Sequence, residues 1–476
     1  MKKTVAIRLS TTVVYRYSDE TACVIGPVLF GGECLIGTDR TIWDQGQFAA
    51  TPMPHGSDTS NFEYPTLELG GFAFASIAQF DPEKLEKAGL TVGYPFGCTH
   101  LYGRLGLPQH EMLQRIISHL ERVPGGILSA SGVAASHLAV LFNLRERGVI
   151  LRSAPIYDCT RGGFEHIYPK WEIQVIQADF TDLNKLEDAI KEHHPDKLYL
   201  ETPANPTMAM IDLPGVYQLA IKYGISEIIV DNTFASPIIQ KPVEIVGGDP
   251  ERKIRIIHSG TKHFTGGLDG SVWGYTSLIS WKEFLPMFLF LKDIGPCMSG
   301  KDAEAVLAHG MPMLHIRVEA QSRRALKLAE FLQGHPLVKK VNYPGLPPFK
   351  AMADKMFTGN GYGSILYFEL DDKQLNLEDG EAFGDTVGLQ SFMKLAVSLG
   401  KVYTLMENSW FMVHRFMSDE EKRRSGISPF GWRVSVGLEG IDDIIYSFQR
   451  VFEVIRDPDF RIRLPRLRQT TGRPVY

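Results

Sequence analysis

Apolar runs of strand length alternate with helix-length amphipathic stretches from Gly126 to Ile257. Gly126-Ile127-Leu128-Ser129 reads as a short strand, and a helix opening near Gly132 is expected to run until Gly148, after Arg145-Glu146-Arg147. Strands are then predicted at 149–151, 197–200, 227–230 and 254–257, with helices at 183–192 and 214–223 between them. Strands separated by helices of this length pair in parallel through right-handed crossovers. Residues 121–300 are therefore expected to form an α/β domain with a parallel-rich central sheet. Upstream, Met112, Leu113, Ile116, Ile117 and Leu120 share one face of a predicted helix with Pro108 in its first turn. Before it, 1–120 reads as an arm or lid with only short β-like runs, such as 11–15. Downstream, helices at 303–309 and 316–333 and strands at 365–369 and 433–436 predict a smaller α+β domain over 301–476.

Charge and cysteine content narrow the function. Fifty Lys and Arg against 55 Asp and Glu leave a net charge of −5, which supplies no basic field for a nucleic acid. The five cysteines are scattered, with no C-x-x-C, as expected where thiols stay reduced; no disulfide framework and no metal site is expected. Arg8 interrupts the first apolar stretch, and the longest apolar runs elsewhere fall far short of the ~20 residues a membrane helix needs. A cytoplasmic protein with no membrane or nucleic-acid partner is expected. Five arginines in the last stretch, from Arg461 to Arg473, read as a solvated basic tail.

Several catalytic signatures are missing. The chain has no G-x-x-x-x-G-K-[ST], no G-x-S-x-G and no H-E-x-x-H, and its glycine cluster at 359–363 precedes a strand and opens no helix. What remains is a lysine. His258-Ser259-Gly260-Thr261-Lys262 places two hydroxyls and an amine at the exit of a predicted strand, where α/β sheets collect their ligands. The apolar run before Asp231 brings a carboxylate to the same sheet edge, and Ser131-Gly132-Val133-Ala134 opens a helix whose N-terminal N–H groups suit a phosphate. Nucleophilic lysine, carboxylate and phosphate cradle together match the needs of pyridoxal 5′-phosphate.

These segments also resemble the Cys/Met-metabolism PLP-dependent enzymes, the cystathionine γ-synthase, cystathionine lyase and methionine γ-lyase group. The resemblance is carried by Tyr102-Gly103-Arg104, Ser131-Gly132-Val133-Ala134-Ala135, Tyr157-Asp158-Cys159-Thr160 and Glu201-Thr202-Pro203-Ala204-Asn205-Pro206. It continues through Val230-Asp231-Asn232-Thr233-Phe234, His258 to Lys262, Ser398-Leu399-Gly400 and Arg433-Val434-Ser435-Val436-Gly437-Leu438-Glu439. It implies the fold type I, aspartate-aminotransferase-like architecture. By that resemblance Lys262 carries the cofactor's aldehyde, Asp231 pairs with the ring nitrogen, Tyr157 stacks on the ring and Asn205 bonds its hydroxyl. Gly132, Val133, Ser259 and Thr261 hold the phosphate. Tyr102 and Arg104 reach a neighbouring subunit's site, which implies a homodimer or homotetramer with part of 1–120 at the interface. Arg433 grips the α-carboxylate of an amino-acid substrate, a task for a planar two-pronged donor, and Ser398 holds Lys262 or the substrate.

Departures from the family pattern cluster where the distal end of a substrate would sit. Leu107-Pro108-Gln109 replaces an Asn-Pro-Thr, Lys401 follows Ser398-Leu399-Gly400, and Asn408-Ser409 replaces a His-Pro. Lys401 is therefore a candidate for meeting a distal acidic group, while Cys159 reads as a small buried thiol. The expected reaction is γ-elimination or γ-replacement of the trans-sulfuration type. β-Elimination of the cystathionine lyase kind, a catalytically silent PLP-binding protein and a fold-related aminotransferase are the alternatives.

Overall fold

Four of the expected strands lie side by side as parallel neighbours. In a computed structural model, which describes residues 5–9, 12–16, 22–25, 104, 106–267, 270–389, 392–457 and 459, Glu227–Asp231 is flanked by Lys197–Glu201 on one side and Ile254–Ser259 on the other. Val149–Arg152 continues the array beside Lys197–Glu201, and Gln174–Gln177 adds an edge strand the sequence did not announce. Lys197–Glu201 is buried throughout its length, as a strand covered on both faces must be. Because these strands are parallel, the turns that carry Tyr157, Asn205, Asp231 and Lys262 all leave from one edge of the array.

The chain divides into two units. The first takes Met1–Phe142, Ser259–Thr261 and Gly270–Pro312; the second takes Asn143–His258, Lys262–Asp269 and Met313–Tyr476.

In the first unit, Val5–Leu9, Thr12–Arg16 and Ala22–Ile25 form an antiparallel meander. Pro108–Glu121 is helical as expected, with proline in its first turn. Gly126–Ser129 pairs antiparallel with Gly274–Ser277, a departure from uniform parallel pairing. The helix from Gly132 ends at Leu141, well before Gly148, because Phe142 turns extended and Asn143 takes a left-handed φ of 56°. Leu138 and Phe142 pack with Phe284, Met287, Phe288 and Leu291 of the helix Phe284–Ile294.

In the second unit a further sheet runs in the order Val338–Asn342, Ile365–Leu370, Gly431–Ser435, Leu405–Glu407, Lys394–Leu395. The helices Leu314–Gln333, Leu377–Leu389 and Ile441–Val454 supply side chains to its core. Phe383 sits at the centre, 5.3 Å from the Phe452 ring and 5.4 Å from Trp432. Removing such a ring costs roughly 3–5 kcal/mol. This sheet matters for chemistry because it places Arg433 and Glu407 opposite each other on neighbouring strands. No helix among the described residues is long and apolar enough to cross a membrane. Among them no group of three or more His, Cys, Asp or Glu gathers as a metal site would require.

Candidate active site

The turn after Ile254–Ser259 delivers Lys262, whose Nζ lies 3.2 Å from Ser398 Oγ. Burial lowers its ammonium to about 8, and the nearby charges of Arg433 and Lys401 push the same way. An amine poised near neutrality can act as nucleophile and as base, which a surface lysine cannot. Ser398 holds a φ of 87°, a left-handed conformation that costs a non-glycine residue about 1–3 kcal/mol. The strain places two groups at once: the hydroxyl faces Lys262, and the carbonyl accepts Arg433 Nη2 at 2.7 Å.

Arg433 is buried and its guanidinium is surrounded. Nη1 donates to Asn205 Oδ1 at 2.9 Å, Nη2 donates to the Ser398 carbonyl, and Glu407 Oε2 lies 2.8 Å from Nη2. Burial pulls its pKa down while Glu407 holds it up, so the group stays a cation. With its carbonyl taken by Arg433, Asn205 presents its amide NH₂ as the remaining donor.

Asp231 ends its strand partly accessible, with Oδ1 accepting the Thr233 N–H at 3.0 Å. No Lys or Arg among the described residues pairs with it. Desolvation raises its carboxyl, partly offset by Thr233. Directly across the register stands Glu201, whose carboxyl is raised well above the usual range by burial and by Asp231. Glu201 Oε1 accepts the Tyr157 N–H at 2.7 Å and Oε2 accepts the Asn205 N–H at 3.3 Å. It thus ties together two turns that each carry a predicted site residue. Tyr157 caps the helix Asp158–His166, and burial and a 3.4 Å contact from Cys159 Sγ raise its phenol, keeping it protonated. Cys159 is exposed, not the small buried thiol expected.

Lys401 is buried, and its carbonyl accepts Gln321 Nε2 at 2.6 Å. Its ammonium acts electrostatically on Lys262.

The phosphate candidates stand in the first unit. Ser131 caps the helix Gly132–Leu141 by accepting the Ala134 N–H, and first-turn N–H groups such as those of Gly132 and Val133 have no acceptor within a helix. A Cβ at Gly132 would lie 2.6 Å from Ser259 Cβ, so glycine is what lets the helix start approach that serine. Thr261 Oγ1 accepts the Trp273 N–H at 3.3 Å. Arg104 is exposed, with Nη1 donating to the Lys292 carbonyl at 3.2 Å, and Tyr102 lies outside the described residues.

The residues present fit pyridoxal phosphate. In the second unit Asp231 is a desolvated carboxyl in no ion pair among the described residues, though Lys262 and His258 act on it through space, and Lys262 has a lowered pKa; in the first, the helix start at Gly132 has the first-turn N–H groups that suit a phosphate. Two participants escaped the sequence reading. Glu201 is marked in the sequence only by its place at the end of an apolar strand, which is itself a signal. Glu407 carries no local signal, since its pairing with Arg433 depends on cross-strand register.

Comparison with known proteins shows the family of the chain. The family model described as Cys/Met metabolism PLP-dependent enzyme matches residues 74–453. An L-methionine gamma-lyase from Fusobacterium nucleatum subsp. polymorphum is 32% identical over 401 residues, covering 83% of this chain and 92% of that protein. A cystathionine beta-lyase from Bacillus subtilis strain 168 is 32% identical over 354 residues, covering 74% and 86%. The crystal structure of cystathionine gamma synthase from Xanthomonas oryzae pv. oryzae, in complex with aminoacrylate and cysteine, superposes with a TM-score of 0.68 at 29% identity, covering 75% of this chain and 88% of that one. The chain therefore belongs to the Cys/Met metabolism family of pyridoxal-phosphate-dependent enzymes, with the fold type I architecture and the carbon–sulfur lyase and transferase chemistry of that family.

Proposed function

We propose that the protein removes or replaces the γ-substituent of an L-amino acid. The observation that carries this is the pairing of an amine base with a guanidinium anchor: Lys262 Nζ, with its pKa near 8, stands 3.2 Å from Ser398, whose carbonyl in turn steadies Arg433. Arg433 binds the substrate α-carboxylate. Bound here, pyridoxal phosphate supplies an electron sink for the pair left at the substrate's Cα. Lys262 Nζ takes the Cα proton and shuttles protons onward toward Cγ. Asp231 keeps the ring nitrogen protonated; Asn205 donates its amide to the ring oxygen; Gly132, Val133, Ser259 and Thr261 hold the phosphate. Tyr157, kept protonated, covers the ring face and offers an O–H to a departing group.

Tyr102 and Arg104 complete the site of a neighbouring copy, so the working form is a homodimer or homotetramer. The cytoplasm is its place of action, in keeping with five unclustered cysteines. The similarity to methionine γ-lyases favours elimination to a 2-oxo acid and ammonia. β-Elimination is the second reading, on the similarity to a cystathionine β-lyase.

Incubation of the loaded enzyme with L-methionine, O-acetylhomoserine and cystathionine, with and without an added thiol, separates the outcomes. 2-Oxobutanoate with ammonia, or a thioether when thiol is present, is the expected result. Pyruvate from cystathionine would move the assignment to Cβ. Accumulation of the pyridoxamine form without loss of a side-chain group would replace it with aminotransfer.

A further inference from the structure

Arg433 and Glu407 are direct cross-strand partners, both almost completely buried, with Glu407 Oε2 2.8 Å from Nη2. Their fit is incomplete. Arg433 Nε has no hydrogen-bond partner, and Glu407 Oε2 accepts no aligned hydrogen bond in spite of the short distance. Only Glu407 Oε1 is satisfied, by the Ser409 hydroxyl at 3.0 Å.

A guanidinium can grip a carboxylate in two planar ways, through its end or through its side, and both use Nη2. One Nη2 hydrogen already goes to the Ser398 carbonyl. Glu407 Oε2, 2.8 Å from Nη2 but off its N–H directions, crowds the approach that a substrate carboxylate would make to Nη2. We propose that Glu407 is an internal carboxylate that stands in at Arg433 until the substrate's own carboxylate displaces it, so that Glu407 sets the affinity of the site for amino acids. The proposal rests on the assignment of Arg433 as the carboxylate anchor.

The orphaned Nε and the misaligned Oε2 are what a provisional partner leaves behind: enough Coulomb attraction to neutralise a buried cation, without the hydrogen bonds of a permanent bridge. Burial also raises the Glu407 carboxyl against the pull of Arg433, Ser409 and Lys262, so taking up a proton on displacement is easier for it than for a surface glutamate. Tyr157, the other titratable group that feels Glu407, stays protonated throughout.

The test uses the loaded enzyme and two ligands: L-alanine, which has an α-carboxylate and no γ-substituent to lose, and ethylamine, which has the amine without the carboxylate. Titration calorimetry on Glu407→Gln is expected to give about tenfold tighter L-alanine binding and unchanged ethylamine binding. Glu407→Asp, which withdraws the carboxylate by one methylene, is expected to gain about threefold for L-alanine, and it decides the matter if the glutamine variant does not fold. Unchanged or weaker L-alanine binding, or an equal gain for ethylamine, overturns the proposal. An Arg433→Ala control separates the two levels of the argument. If that variant keeps the normal preference for L-alanine over ethylamine, the anchor assignment itself is wrong and the role of Glu407 goes with it.

Discussion

Glu201 Oε1 accepts the backbone N–H of Tyr157 at 2.7 Å, although the two are separated by 44 positions in the chain. The other oxygen accepts the Asn205 N–H, so one buried carboxyl fixes two turns of the sheet edge. Burial and the neighbouring Asp231 raise its pKa, and the two N–H bonds it accepts oppose that shift. Glutamine keeps one acceptor oxygen and turns an amide NH₂ toward the other N–H, so Glu201→Gln is expected to lose about 1–3 kcal/mol, and Glu201→Ala, which leaves both buried N–H groups unpaired, roughly 2–4 kcal/mol. Urea unfolding of both variants checks this; a loss below about 0.5 kcal/mol in the alanine variant would show that the carboxyl does not fix the two turns.

The lowered pKa of Lys262 ties cofactor loading and stability to pH. In the cofactor-free protein, the neutral amine that attacks an aldehyde rises about tenfold per pH unit until about 8 and then levels off. Stopped-flow absorbance after adding pyridoxal phosphate measures that profile. The folded value of about 8 lies below the unfolded 10.5, so the unfolded chain binds the extra proton between them. Stability therefore rises with pH across that window, by at most about 3 kcal/mol, and the burial penalty is felt in full below pH 8. Lys262→Ala is expected to lack this slope in urea titrations.

Ser398 trades stability for position. Glycine adopts its φ of 87° without strain, so Ser398→Gly is expected to stabilise the fold by about 1 kcal/mol while lowering kcat, because Lys262 loses its 3.2 Å partner. Ser398→Ala keeps the strain and loses the same hydroxyl. Thermal melts with kcat for both variants settle it: glycine melting no higher than alanine would remove strain from the explanation.

Arg433→Lys tests the planar grip. A lysine keeps the charge but not the fork, nor the simultaneous hold on Asn205 and Ser398, so kcat/KM is expected to fall roughly 30- to 1000-fold, or about 2–4 kcal/mol, mostly through KM. A change below threefold would mean that charge alone anchors the substrate.

Much of this architecture was legible in the sequence because apolar strands announce themselves. Lys197–Glu201 and Glu227–Asp231 are continuous hydrophobic runs ending in carboxylates, which located both the parallel strands and their functional edge. Gln174–Gln177 went unread because it is a polar edge strand, and Gly274–Ser277 because small polar residues carry little strand signal. The helix Asp158–His166 contains two glycines, which obscured it, and it is held by Arg161 ion pairs with Asp158 and Glu165. Within the site, Lys262 and Asp231 could be named from local context and Arg433 from the family resemblance. The partnership of Arg433 with Glu407 could not, since it arises from a register between strands that no local pattern encodes.

The central claim is that Lys262 carries the cofactor. Reduction of the loaded protein with borohydride, followed by peptide mass analysis, tests it in one measurement. The account predicts a single phosphopyridoxyl adduct on the peptide containing Lys262, absent from Lys262→Ala. An adduct on a different lysine, or none from a protein that still turns over its substrate, would contradict it.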